Sequence, residues 1–196
     1  MTRPLRNNAQ GCTHHCYTMC HAKKYLLLGH YGKKYFIESI KMCQEKYKFE
    51  LIAAEIVGNH IHLVIRTLAD RETISQIMQF IKSRIAEKYN RANMTSGAFW
   101  NERFGSKVIE ETEDPRQYLL YLLWYIGYNP VRKKISNDPR KNEIGFIRCY
   151  LSLNTEIDIK ITLHHYFNEL GSTFEECIKK FLFYEEAYRK RLAILF

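Results

Sequence analysis

Apolar and polar positions along this chain fall into a definite order of strands and helices. After a polar arm, MTRPLRNNAQ, the segment THHCYTMC reads as a first strand. The residues AKKYLLLGHYGKK that follow are turn-like and basic at both ends. Phe36, Ile40, Cys43 and Tyr47 recur at offsets of three and four, which predicts a helix over YFIESIKMCQEKYKF. The apolar run FELIAAEIV predicts a second strand, Gly58-Asn59 a tight turn, and HIHLVIRT a third strand returning as a hairpin. Ile74, Ile77, Met78, Ile81, Ile85 and Tyr89 mark the apolar face of an amphipathic helix over roughly residues 71 to 91. SKVIEE then resembles a fourth strand. The order β-α-β-β-α-β specifies an α+β, ferredoxin-like domain, an antiparallel sheet with both helices on one face.

Further along, Asp114 can cap a helix and Pro115 suits its first position. That helix, QYLLYLLWYIGYN, is expected to stop near Asn129, because Pro130 disfavours helical geometry in the residue before it. VRKKISNDPRKNE reads as a basic, polar loop. ITLHHYFNEL and STFEECIKKFLFYEEAYRKRLAILF both have helical spacing, the second capped by Ser172 or Thr173. The expected division is a main domain over residues 1–150 and a helical C-terminal extension over 151–196.

Composition narrows the classes of function. The chain has 30 Lys plus Arg against 21 Asp plus Glu, a formal charge of +9, which suits a polyanion such as nucleic acid or simply a basic surface. No run of about 18 apolar residues supports a membrane span, and the N-terminus has no apolar core for a signal peptide. A soluble, cytoplasmic protein is expected, in which disulfides are not. Cys12, Cys16 and Cys20 suggest zinc at first sight, but no second close ligand pair follows.

Two groups of residues could carry chemistry. His60 and His62 lie two apart on a strand and so project from the same face, as a metal ion needs. An ordinary histidine pair on a strand would look the same. Tyr118, Tyr121, Tyr125 and Tyr128 form a stripe at helical spacing that equally suits core packing. Tyr125 and Asn129 are four apart, hence neighbours on one helix face. The phenol is a potential nucleophile, and the amide oxygen a neutral ligand.

NHIHLVI, a long helix, FWNERFGSKVI and YIGYNPV, in this order, resemble the single-tyrosine HUH transposases, and most closely their REP-associated tyrosine transposase branch and small insertion-sequence relatives. The resemblance covers roughly residues 12 to 150. It implies a catalytic domain that cuts and rejoins single-stranded DNA beside hairpins through a 5′-phosphotyrosine link, with Mg2+ or Mn2+ as cofactor. Carried over, Tyr125 is the nucleophile, and His60, His62 and Asn129 are metal ligands. Lys82, Arg84, Lys88, Arg91, Arg103, Arg132 and Lys133 are expected to hold the DNA backbone. Phe99, Trp100 and Phe104 suit either base stacking or core packing. Relatives often have an arginine soon after the first strand, where this chain reads CHAKKYLLLG. The sequence leaves monomer and homodimer both open. A different class, a non-catalytic nucleic-acid binder, covers a retired transposase or an RRM-like module, which would display aromatics on its central strands.

Overall fold

The computed structural model describes residues 7–142, 145–155 and 157–195; the first six residues of the polar arm lie outside it. Strands β1 (Thr13–Met19), β2 (Phe49–Val57), β3 (His60–Thr67) and β4 (Gly105–Val108) form one antiparallel sheet in the order β2-β3-β1-β4. Helices α1 (Gly29–Lys46) and α2 (Ile74–Ala92) follow β1 and β3, giving the expected β-α-β-β-α-β order. Both cover one face of the sheet, where Cys16, Leu63 and Ile65 meet Phe36, Ile40, Cys43, Ile77 and Ile81. Cys16, Cys20 and Cys43 pack in this core as small apolar groups.

The opposite face lies under α3 (Pro115–Gly127), α4 (Asn129–Arg132), α5 (Ile147–Tyr150), α6 (His165–Asn168) and α7 (Phe174–Leu195). Ile52, Ala53 and Val64 meet Leu119, Leu123, Trp124, Tyr150 and Phe181 there, and the Trp124 indole donates to the Phe181 carbonyl at 3.0 Å. Burial from both sides explains why β2 is buried without interruption from Leu51 to Val57. It also leaves the central strands without the open platform that an RRM-like binder needs.

Local chemistry sets the boundaries. Gly58 takes φ +58°, which lets β2 turn directly into β3. Thr73 and Gln76 form a reciprocal capping box at the start of α2, Asp114 caps α3, and the Thr173 hydroxyl accepts from the Glu176 N–H at the start of α7. Helix α1 begins earlier than the periodicity suggests, at Gly29, because Gly32 lets the Leu27 carbonyl approach where a Cβ would clash. The fourth strand is shorter than SKVIEE, since the chain turns after Ile109. Of ITLHHYFNEL only His165–Asn168 is helical. The tyrosine helix stops close to Asn129, as expected. It ends at Gly127, and the turn Asn129–Arg132 follows at once, with Pro130 in its first turn where the missing N–H costs nothing.

His164 fastens the extension to β1. Its Nδ1 accepts from the Tyr166 N–H at 3.2 Å, so the ring proton sits on Nε2, 3.1 Å from the Thr13 hydroxyl. Burial first, then His165 and Arg66, brings its pKa down to about 3. An unfolded histidine takes a proton near pH 6.5, whereas folded His164 does so only near 3. The native chain therefore binds fewer protons in that window, and the stability is present above about pH 6.5 and lost as pH falls towards 3. His164→Asn, which can still cap α6, is expected to show a shallower decline of Tm between those pH values, read by circular dichroism.

Candidate active site at one end of the sheet

The site forms where the C-terminal end of β1 meets the start of β3. In register, Tyr17 pairs with His62 and Met19 with His60, so Tyr17, His60 and His62 share the face that looks towards α3. Tyr125, half-buried on α3, lies across from them with its ring centroid 6.1 Å from that of His62. The two histidine rings are 5.1 Å apart. A cavity of about 380 Å3 is lined by Tyr17, His60, His62, Arg103 and Tyr125. Gly105 shapes its rim, because a Cβ there would run into the Tyr17 ring.

Each histidine is held by its Nδ1. His60 Nδ1 is 2.9 Å from the Asn59 side-chain oxygen, which can only accept, so the proton is on Nδ1 and the Nε2 lone pair is free. His62 Nδ1 is 3.2 Å from Nε2 of His15, the next residue along this face of β1. Burial lowers the His15 pKa to about 4, with Lys107 adding to it, so this ring is neutral. Burial also lowers His60, helped by Lys133 and Arg132, and takes His62 well below its ordinary value, helped by His15, His60 and Arg132. Neutral imidazoles are the form a divalent cation requires, and the open Nε2 of His60 offers one lone pair. Among the described residues no three His, Cys, Asp or Glu side chains converge on a metal position. Glu55, opposite His62 in register, accepts from Asn142 and from its own neighbour's N–H, and burial pushes it up to about 8.

The helical turn after α3 brings Arg132 back over Tyr125, its guanidinium carbon 4.2 Å from the ring centroid. Arg132 donates to the Asn129 side-chain oxygen. Arg132 Nε and Asn129 Nδ2 are buried with no hydrogen-bond partner. Tyr128 points the other way. It is 8% exposed and gives its hydroxyl to Glu185 on α7 at 2.6 Å. Burial, then Glu185, raises its pKa, opposite to what a nucleophile needs.

The basic residues are distributed unevenly. Arg103 lines the cavity, and Lys133 is exposed close enough to influence His60. Lys82 donates to the Glu102 carbonyl at 2.9 Å and lies over Trp100, so it braces the loop that forms the cavity wall. Arg84 and Arg91 pair with Glu87, and Lys88 pairs with Glu38, on the helix that covers the opposite sheet face. Phe99 and Phe104 are core residues, and the half-buried Trp100 donates to the Lys82 carbonyl. The sequence reading missed His15, Tyr17 and Glu55. The H-x-Y spacing in THHCYTM was a signal for the first two, but it acquired meaning only from the pairing of β1 with β3.

The chain belongs to the IS200-like transposase family, whose model matches residues 8–120. A Haemophilus influenzae protein provisionally described as a REP-associated tyrosine transposase is 26% identical over 106 residues, 50% of this chain and 58% of that protein, so the match spans little more than half of the relative's length. Among solved structures, a REP-associated tyrosine transposase bound to a REP hairpin superposes with a TM-score of 0.59 at 20% identity, covering 84% of this chain and 94% of that one. At that identity the likeness is one of fold. No helix among the described residues is long and apolar enough to cross a membrane.

Proposed function

We propose that this chain cuts and rejoins single-stranded DNA beside a hairpin, with Tyr125 as nucleophile and a divalent cation held by His60 and His62. The observation that carries this reading is the placement of Tyr125, and not Tyr128, in one cavity with both histidines and Arg103. In the proposed reaction the Tyr125 oxygen attacks the scissile phosphorus as its proton leaves. The bond to the 3′-oxygen breaks, giving a 5′-phosphotyrosine and a free 3′-hydroxyl. A 3′-hydroxyl later attacks the same phosphorus and releases the tyrosine. The link conserves the energy of the broken bond, so no nucleotide cofactor is needed.

Bound Mg2+ or Mn2+ would supply positive charge to the phosphate oxygens and the departing 3′-oxygen. The protein's own part is positioning. Asn59 fixes the His60 tautomer, His15 holds the His62 ring through Nδ1, and the α3–α4 junction sets Arg132 against the nucleophile. The unpaired buried donors of Arg132 and Asn129 are what a phosphate oxygen would satisfy. The Asn129 oxygen accepts one hydrogen bond from Arg132 and keeps a second lone pair, with which it would serve as a third ligand. In this reading residues 1–150 are the catalytic domain, and 151–196 support α3 from behind.

The direct test incubates the protein with labelled hairpin oligonucleotides taken from the DNA flanking its gene, with Mn2+ or EDTA, and resolves the products on a denaturing gel. A slow-migrating, Mn2+-dependent adduct is expected. Tight hairpin binding without any adduct would instead make this a DNA binder that does not cut.

A further inference from the structure

Residues 21 to 35, HAKKYLLLGHYGKKY, take no part in the chemistry above, yet they carry an unusual surface. Tyr25, Leu28 and Tyr31 are 64, 62 and 69% exposed. Single exposed apolar side chains are ordinary, but a group of them is characteristic of a binding surface. These three border one hollow of about 610 Å3, with Tyr35 and Tyr89 on its walls.

Every Lys, Arg, Asp or Glu within the segment is a lysine. The first acidic residue of the chain is Glu38, whereas Lys23, Lys24, Lys33 and Lys34 all precede it. Glu38 is itself held by Lys88 at 2.7 Å and lies 3.9 Å from Lys34. On α2, by contrast, Arg84, Lys88 and Arg91 are each matched by a glutamate.

The segment is also pinned to the candidate site. The Cys20 N–H donates to the Asn59 carbonyl at 2.7 Å, and the Leu27 N–H to the Gly58 carbonyl at 2.9 Å. The Tyr25 ring lies on Gly58, where a Cβ would come within 2.8 Å of it. The Asn59 amide donates to the Lys23 carbonyl at 3.0 Å while its oxygen faces His60. Ala22 and Lys23 are held at φ 51° and 57°, a left-handed conformation that non-glycine residues keep only where the surroundings impose it.

We propose that residues 21 to 35 grip the single strand that leads into the Tyr125 cavity, with unpaired bases stacked on Tyr25 and Tyr31 and backbone phosphates on Lys23, Lys24 and Lys34. This rests on the reading of the chain as a single-strand DNA enzyme. Tyrosine faces bordered by lysines suit unpaired bases, because a paired base has its faces hidden in the stack. Lys23 and Lys24 add the positive charge that favours a polyanion.

The test uses the full chain carrying Tyr125→Phe, in EDTA, so that binding is read without cutting. Fluorescence anisotropy compares a hairpin bearing a single-stranded flank with the same hairpin made blunt. Tyr31→Ala, at a side chain largely in solvent, should weaken binding of the flanked probe by about tenfold, as stacking of one base implies, and leave the blunt probe alone. Adding Tyr25→Ala should weaken it further, and Tyr31→Phe should restore it. Lys23→Gln with Lys24→Gln should flatten the slope of log affinity against log salt by about 1.4, at roughly 0.7 per single-strand phosphate contact. Unchanged flank preference in all these variants, while the parent chain binds the flanked probe, overturns the grip and leaves the proposed function standing. So does a change in sedimentation without a change in DNA affinity, which would assign the surface to a second copy. Binding of neither probe by the parent chain overturns both.

Discussion

Tyr125→Phe is expected to abolish the covalent DNA adduct, a loss on the order of 10^4-fold or more for removal of a nucleophile, while hairpin affinity stays close to that of the unaltered chain. Only the hydroxyl is lost. The ring remains, so the Arg132 contact at 4.2 Å and the edge-to-face approach to His62 are retained. Tyr128→Phe is the counterpart. It removes a buried hydrogen bond to Glu185, at a cost of about 1–3 kcal/mol in stability, and should still form the adduct below its melting temperature. Mass spectrometry of the adduct peptide separates the two, and a phosphotyrosine at 128 in the Tyr125→Phe protein would reverse the assignment.

How much of this site was legible in the sequence depends on which residues must meet. The hairpin at Gly58-Asn59 and the projection of His60 and His62 from one face follow from local chemistry and a period of two. So do the start of α3 and the facing of Tyr125 by helix period. What period cannot give is register between strands. Nothing in THHCYTM says that Tyr17 pairs with His62, or that His15 reaches His62 Nδ1. Side-chain pairing is equally hidden. Period alone does not show that Arg84, Lys88 and Arg91 are each paired with a glutamate, on the same helix or on α1. The end of α3 near Asn129 was legible, but the helical turn that follows it was not. Pro130 bars a continuous helix but is well suited to begin a new one, and that new turn places Arg132 over Tyr125.

Replacing both His60 and His62 with alanine should remove metal-dependent cleavage together with Mn2+ binding by the protein alone, the latter read by electron paramagnetic resonance. His15→Phe is the finer test of the same idea. If His62 presents Nε2 to a cation, its proton lies on Nδ1 and is donated to His15. Removing that acceptor leaves the ring free to turn or change tautomer, and a loss of this kind of support costs about 10- to 100-fold in metal affinity. The opposite tautomer, with His15 donating to His62, would put the His62 proton on Nε2 and disable it as a ligand. His15→Phe would then leave Mn2+ affinity equal or raise it. The two arrangements share the same 3.2 Å geometry, so the sign of the change decides between them. Cutting at an undiminished rate by the double alanine variant would dispose of the metal reading altogether and leave Tyr125 to be assisted by Arg132 and Arg103 alone.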